Sequence, residues 1–223
     1  MGKLKKFYNE NGYYLPINVL ENDKINLSAK KLNALHNNPP SNIKHPWNLQ
    51  AHLLADWIYD LCVAPKLLDA VEEVIGPNIL IQSADIFIKP ARGIKHINWH
   101  QDANYWGLDP YELVTGWIAI TDVNLENGCM NYLPKSHLHQ KIEHTETFDK
   151  NSDLTRGQEI NLEINDKDVV PVILEKGQAA LHHCLLAHGS GHNKTNSARI
   201  GIAVRYLPTH VKQTKGPPIS MIL

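Results

Sequence analysis

The sequence predicts a mainly β protein, a sandwich or jelly roll with helices ahead of it. Three observations lead there. The chain has 223 residues, 43% apolar and 20% charged, which suits one soluble domain with a sizeable core. Beyond Gly76, short apolar runs bounded by turn residues recur as far as Pro208, without β-α-β alternation. Before Gly76, the apolar residues fall instead at helical spacing.

In order along the chain, Leu4, Phe7 and Tyr8 share a helical face and Gly12 ends that turn; YYLPINVL (13–20) then reads as a short extended segment. The stretch from Lys24 to Trp47, rich in Asn, Lys and Pro, reads as irregular surface. LQAHLLADWIYDL (49–61) has apolar residues three and four apart, and Pro65 opens a second helix that Gly76 closes. The helical part therefore covers about residues 1–76. A β core over about 77–208 follows, with strands in ILIQSADIFIKP, HINWHQD, ELVTGWIAITDV, CMNYLP, DVVPVIL, GQAALHHCLLAHGS and ARIGIAVRYLP. Within it, residues 140–168 are long and polar, the character of a lid over a pocket.

Charge and composition exclude several classes. A net charge of −1 offers neither a basic stripe for nucleic acid nor a polybasic patch for membranes, and no run approaches the ~18 apolar residues of a membrane span. The N-terminus has no apolar signal region, and Lys6 stands where myristoylation needs Ser or Thr. Cys62, Cys129 and Cys184 are odd in number and far apart, so neither a disulfide framework nor a thiolate zinc site is expected, which fits a cytoplasmic protein.

The stretch INWHQDANYW (97–106) carries the chemistry. On an extended strand, His100 and Asp102 share one face about 6–7 Å apart, and His188, in LLAHGSGHN, is the best-placed third ligand. Two imidazoles and a carboxylate leave three metal positions open, as non-haem Fe(II) oxygen chemistry needs, whereas structural zinc closes its four. A lone H-x-D also arises by chance. What lifts it is Arg199, eleven residues after His188: a buried guanidinium needs a carboxylate, and a dicarboxylate cosubstrate would supply one.

His100-Gln-Asp102-x-x-Tyr105-Trp106, then Trp117, ENGCMNYLPKSH (126–137), His188-x-Ser190 and Arg199 resemble the phytanoyl-CoA dioxygenase (PhyH-like) family of Fe(II)- and 2-oxoglutarate-dependent oxygenases. The resemblance covers most of the chain, from FYNENGYY onward. It implies an α+β, mainly β fold: a double-stranded β-helix (jelly-roll) core with N-terminal helices packed on it, one domain over residues 1–223. It also implies Fe(II) on His100, Asp102 and His188, with Arg199 holding the C5 carboxylate of 2-oxoglutarate, Ser190 assisting, and O2 as the further reactant. The implied activity is hydroxylation of an unactivated C–H bond of a small molecule with release of succinate and CO2. Related halogenases carry Ala or Gly at the Asp102 position, so hydroxylation is favoured; desaturation, cyclisation and epimerisation share its first step and stay open. Relatives continue past the strand equivalent to IGIAVRYLP, which leads us to expect an intact core with a more open pocket.

Strand parity extends the site. If Trp117 faces the pocket, as its counterpart in the family does, Thr115 and Ala119 do too, and Thr115 is placed to hydrogen-bond the cosubstrate. On the earlier strand, Ser83, Asp85, Phe87 and Lys89 align with pocket positions; Asp85 then meets a cationic substrate group such as an amine, or pairs with Lys89 or Arg92. Tyr105, Asn131, Arg156 and Gln158 are further substrate-contact candidates. His182 and His183, adjacent on a strand, point to opposite faces and read as scaffold, and His96, His137, His139 and His144 as solvated turn residues. A small natural product or amino-acid-like substrate fits better than an acyl-CoA, whose phosphates need a basic patch, and a monomer or weak homodimer is expected. Two rivals are a cupin-like metal enzyme that does not use 2-oxoglutarate and a non-catalytic binder on the same fold. Arg199 and Ser190 argue against the first, the intact ligands against the second.

Overall fold

The structure, a computed structural model, describes residues 2–42, 46–154 and 157–215. Helix α1 (Lys3–Asn11) ends at Gly12, whose φ of 83° is the left-handed conformation that glycine adopts most readily. Strand β1 (Tyr13–Asn18) and helix α2 (Asn22–Asn37) follow. After a 3-10 turn at Ala51–Leu53 come α3 (Asp56–Cys62) and α4 (Pro65–Ile75), the latter with proline in its first turn. The rest is mainly strand: β2 (Ile79–Lys89), β3 (Ile97–His100), the single turn α5 (Ala103–Trp106), β4 (Leu108–Asp109), β5 (Val114–Ala119) and β6 (Met130–Tyr132). Next are β7 (His144–Glu146), β8 (Gln158–Ile160), β9 (Val170–Pro171), β10 (Gln178–His183), β11 (His188–Ser190), β12 (Arg199–Pro208) and β13 (Lys212–Gln213).

These strands make a double-stranded β-helix. A five-stranded sheet, β1-β10-β5-β12-β2, faces a four-stranded one, β3-β11-β6-β9, with antiparallel neighbours throughout. Alternation along each strand divides the core in two. From β5, Val114 and Ile118 point to the helices, among Ile25, Leu32, Leu67 and Val204. Trp117 and Ala119 point the other way, among Met130, Tyr132, Val172 and Ala203 between the sheets. Each such aliphatic side chain contributes roughly 1.5–3 kcal/mol by leaving water, so the helical layer fixes one face of the large sheet and leaves the other free to form a pocket.

Two expectations need correction. Residues 24–37, read as irregular surface, belong to α2. Ile25, Ser28 and Leu32 are buried along one stripe, while the Asn and Lys residues that hid the periodicity face solvent; Ser28 returns its hydroxyl to Lys24 O at 2.8 Å. The segment 49–61 is broken rather than one helix, because Ala55 is extended (φ −158°, ψ 140°) between the 3-10 turn and α3.

Replacing Leu32 with Ala is expected to cost about 2–5 kcal/mol, as for other fully buried leucines. Urea unfolding would show it as a lower midpoint at unchanged slope; a surface segment would lose no more than about 0.5 kcal/mol.

Candidate functional site

Strand β11 pairs antiparallel with β3 so that His188 stands directly opposite His100. Each ring places Nδ1 2.9 Å from a backbone carbonyl two residues back, Asn98 O for His100 and Leu186 O for His188. A carbonyl only accepts, so Nδ1 carries the hydrogen and Nε2 presents its lone pair to the space between the rings. Asp102 joins them differently from the sequence expectation. The strand stops at His100, and Asp102 has helical backbone (φ −56°, ψ −39°) at the start of α5; a turn, not strand parity, brings its carboxylate round. The three ligand atoms lie within 4.8 Å of one another.

Gln101, wholly buried between the two ligands, pins that turn. Its amide donates to Gln140 O (2.9 Å) and Leu185 O (2.7 Å), its carbonyl accepts from Ile142 N (2.7 Å), and its backbone N–H donates to His144 Nε2 (3.0 Å). Burial pushes the Asp102 carboxyl up, but the imidazoles of His100, His182 and His188 and the Arg205 guanidinium gathered around it outweigh this and hold the group well below the usual carboxylate range. His188 is held well below its ordinary value, first by burial. An ionised carboxylate beside neutral imidazoles is a donor set suited to a divalent metal.

Arg199 opens β12 in the facing sheet and lines the same cavity, of about 290 Å³. Only 2% of it is exposed, yet Nε and Nη1 have no acceptor among the described residues, and the buried Ser190 hydroxyl has none either. Its guanidinium stands 5.2 Å over the Trp117 ring, and burial lowers it to about 10. The ring lies flat on β12 at Gly201, where a Cβ would come within 2.0 Å of it. Buried donors without acceptors cost about 1–3 kcal/mol each, and a carboxylate entering here would satisfy them together.

Of the residues picked out from sequence, His100, Asp102, His188, Arg199, Ser190, Thr115, Trp117, Tyr105, Asp85 and Phe87 all line this cavity. Thr115 donates to Asp102 Oδ2 at 3.1 Å rather than standing free for a cosubstrate. Asp85 is not open to an amine, nor paired with Lys89 or Arg92: it takes Arg205 Nη1 at 2.5 Å and Gln50 N at 2.9 Å. Lys89 donates instead to Lys95 O and Gly191 O, and Arg92 to Asn196. Ser83 donates to Gln82 beside a β-bulge and does not line the cavity. Asn131 alternates with Met130 and Tyr132 and so faces away from it. Gln158 is buried, accepting from Tyr105 Oη, and does not line the cavity. Arg156 lies outside the described residues.

Of the cavity residues that the sequence does not single out, two matter most to the site, Arg205 and His182. Arg205 shares the Arg199 face, since Ile200, Ile202 and Val204 turn to the helices, so parity alone would have found it. His182, taken for scaffold, lines the cavity opposite Thr115 on the neighbouring strand. His183 does face away, its ring 5.3 Å from that of His137. His137 is itself buried, with Nε2 3.1 Å from Asn9 O; His96 and His144 also have partners, and only His139 of those four is exposed. Segment 140–168 borders the cavity through Asp153 and Leu154 and is tied to the β3 region by His96, Asn98 and Gln101.

Comparison with known proteins agrees with this architecture. Residues 8–201 match the family model described as phytanoyl-CoA dioxygenase (PhyH). The human peroxisomal phytanoyl-CoA dioxygenase is 29% identical over 153 residues, which are 67% of this chain but only 45% of the human protein. Among solved structures, the apo form of a non-heme monooxygenase, ThoJ, superposes with a TM-score of 0.85 at 31% identity, covering 98% of this chain and 83% of that one. The epimerase SnoN, solved with Fe3+, alpha-ketoglutarate and nogalamycin RO, shares the fold at TM-score 0.76 and 20% identity, covering 94% of this chain and 84% of its own.

Burial holds His183 at about 4, below the roughly 6.5 of an unfolded histidine. As pH falls below 6.5 the unfolded chain therefore takes up this proton first, and stability present above 6.5 is lost toward pH 4. We expect unfolding free energies from urea titrations at pH 7.5 and 5 to differ by roughly 1–2 kcal/mol from this residue, and His183→Gln to flatten that slope.

Proposed function

The chain belongs to the phytanoyl-CoA dioxygenase (PhyH) family, and on that premise we propose that it is an Fe(II)- and 2-oxoglutarate-dependent oxygenase hydroxylating an unactivated C–H bond of a small molecule. One observation carries this reading: three convergent ligands and a buried guanidinium without an acceptor share one cavity. His100, Asp102 and His188 hold the metal, and Arg199 with Ser190 takes the distal carboxylate of the cosubstrate. Bound there, Fe(II) and 2-oxoglutarate supply O2-dependent oxidation of a C–H bond, with succinate and CO2 released.

The protein's own groups do the rest. The fixed Nδ1–H bonds keep both imidazoles aimed without reorganisation. Asp102 supplies a negative charge and fills the position that Ala or Gly leaves open in halogenases, which favours hydroxylation. Arg199, seated on Trp117, sets the direction from which the cosubstrate enters. Phe87, Tyr105 and Trp106 give aromatic walls that exclude water from the reacting carbon. Because Asp85 is occupied by Arg205, a substrate cation is no longer favoured at that point. No described helix is long and apolar enough to cross a membrane; a small molecule is the partner this site fits.

Arg199→Ala is expected to weaken 2-oxoglutarate binding about 10–100-fold, the loss of one or two charge-assisted bonds, while calorimetric Fe(II) affinity in anaerobic buffer hardly changes. Equal 2-oxoglutarate affinity in mutant and wild type would assign the anchor elsewhere. Asp102→Gly should abolish succinate formation; product that still gains one oxygen by mass analysis at the wild-type rate would remove Asp102 from the ligand set.

A further inference from the structure

We propose that His182 is a positioning residue for the metal site, donating from Nε2 to Oδ2 of Asp102 so that Asp102 binds metal through Oδ1 alone. This rests on reading His100, Asp102 and His188 as the metal ligands.

The two oxygens of Asp102 have different surroundings. Oδ1 lies 3.5 Å from His100 Nε2 and 3.8 Å from His188 Nε2, at the ligand triangle. Oδ2 accepts from Thr115 Oγ1 at 3.1 Å and lies 3.5 Å from His182 Nε2. That nitrogen is buried and has no hydrogen-bond partner among the described residues, and the Asp102 oxygen is the acceptor it faces. Facing a carboxylate oxygen, which only accepts, it must carry the hydrogen; the other tautomer would set a lone pair against a negative charge. Nδ1 is then an acceptor, and Tyr132 Oη, 2.8 Å away, donates to it. A chain from Tyr132 through His182 to Asp102 thus fixes the tautomer and the carboxylate together.

The platform is rigid. His182 and Thr115 are direct cross-strand partners on β10 and β5, so both donors to Oδ2 come from the centre of the large sheet, while the metal ligands come from the β3–β11 pair and the turn after it. With Oδ2 engaged twice, a second metal bond from the same carboxylate would have to break both contacts. His182 is not a fourth ligand in this arrangement, because it approaches the carboxylate oxygen that does not face the two imidazoles.

The test uses the full chain and Co(II) alone, with affinity read by competition against a chromophoric chelator, the d–d spectrum of the loaded protein, and thermal midpoints without metal. His182→Phe should weaken Co(II) binding by about 10-fold, the usual scale for losing an outer hydrogen bond to a metal ligand. His182→Gln, whose amide can still donate, should stay within about 3-fold of wild type with an unchanged spectrum. Wild-type affinity in His182→Phe overturns the proposal. So does a spectrum in both variants that has lost a nitrogen ligand, which would make His182 a ligand itself. If His182→Phe does not fold, Tyr132→Phe serves: weaker Co(II) binding at an unchanged thermal midpoint supports the chain of bonds, and unchanged binding overturns it. Absence of Co(II) binding by the wild type would instead sink the ligand assignment on which the proposal rests.

Discussion

The antiparallel pairing of β3 with β11 is the constraint on which the rest depends. It sets His188 across from His100, and the fit is close: a side chain at Gly189 would meet Ile97 O at 3.0 Å. A one-residue slip would turn one imidazole out of the cavity altogether. The large sheet then supplies much of what surrounds the ligands, Thr115 and His182 on one side and Arg199 and Arg205 on the other. The helices matter because they bury the opposite face of that sheet, leaving its inner face to polar groups that a simple sandwich core would not tolerate.

Those polar groups carry a thermodynamic cost. Arg199 is a buried cation without a counter-ion among the described residues, and removing a guanidinium from water without full compensation costs several kcal/mol. A dicarboxylate that binds the folded state repays part of this through linkage, so the fold should be held more firmly with the cosubstrate than without it. Stability and function are therefore coupled at one residue.

Much of the site was legible because its signals are local or periodic. H-x-D, the late histidine and an arginine eleven residues on are short patterns, and alternation along β5 and β12 places whole faces at once. The failures have physical causes as well. Asp102 was put on a strand because the aromatic residues of INWHQDANYW favour extended structure, whereas the buried Gln101 side chain binds three backbone groups and turns the chain. Helix α2 was missed because three buried residues in sixteen leave a sequence that looks wholly polar. For Asp85 the sequence offers a substrate cation or a nearby Lys89 or Arg92, but its partner, Arg205, lies 120 residues away, and no local rule reports on a contact of that range. Parity separates His182 from His183, but only the pairing of His182 with Thr115 across β10 and β5, a long-range contact, tells which of the two faces the ligands.

Gln101 has a consequence for motion. Its side chain bonds Gln140 O and Ile142 N, so the first residues of the polar segment 140–168 are stitched to the peptide that joins two metal ligands. Lifting that end of the segment would strip two of its three hydrogen bonds from a buried amide and slacken the turn that aims Asp102. Further along the same segment, Gly157 O accepts from the side-chain amide of Asn98, whose carbonyl orients His100. The entrance and the ligands are thus mechanically linked, and a shift of the segment around a substrate is felt at the metal ligands through two neutral side chains that take no part in the chemistry.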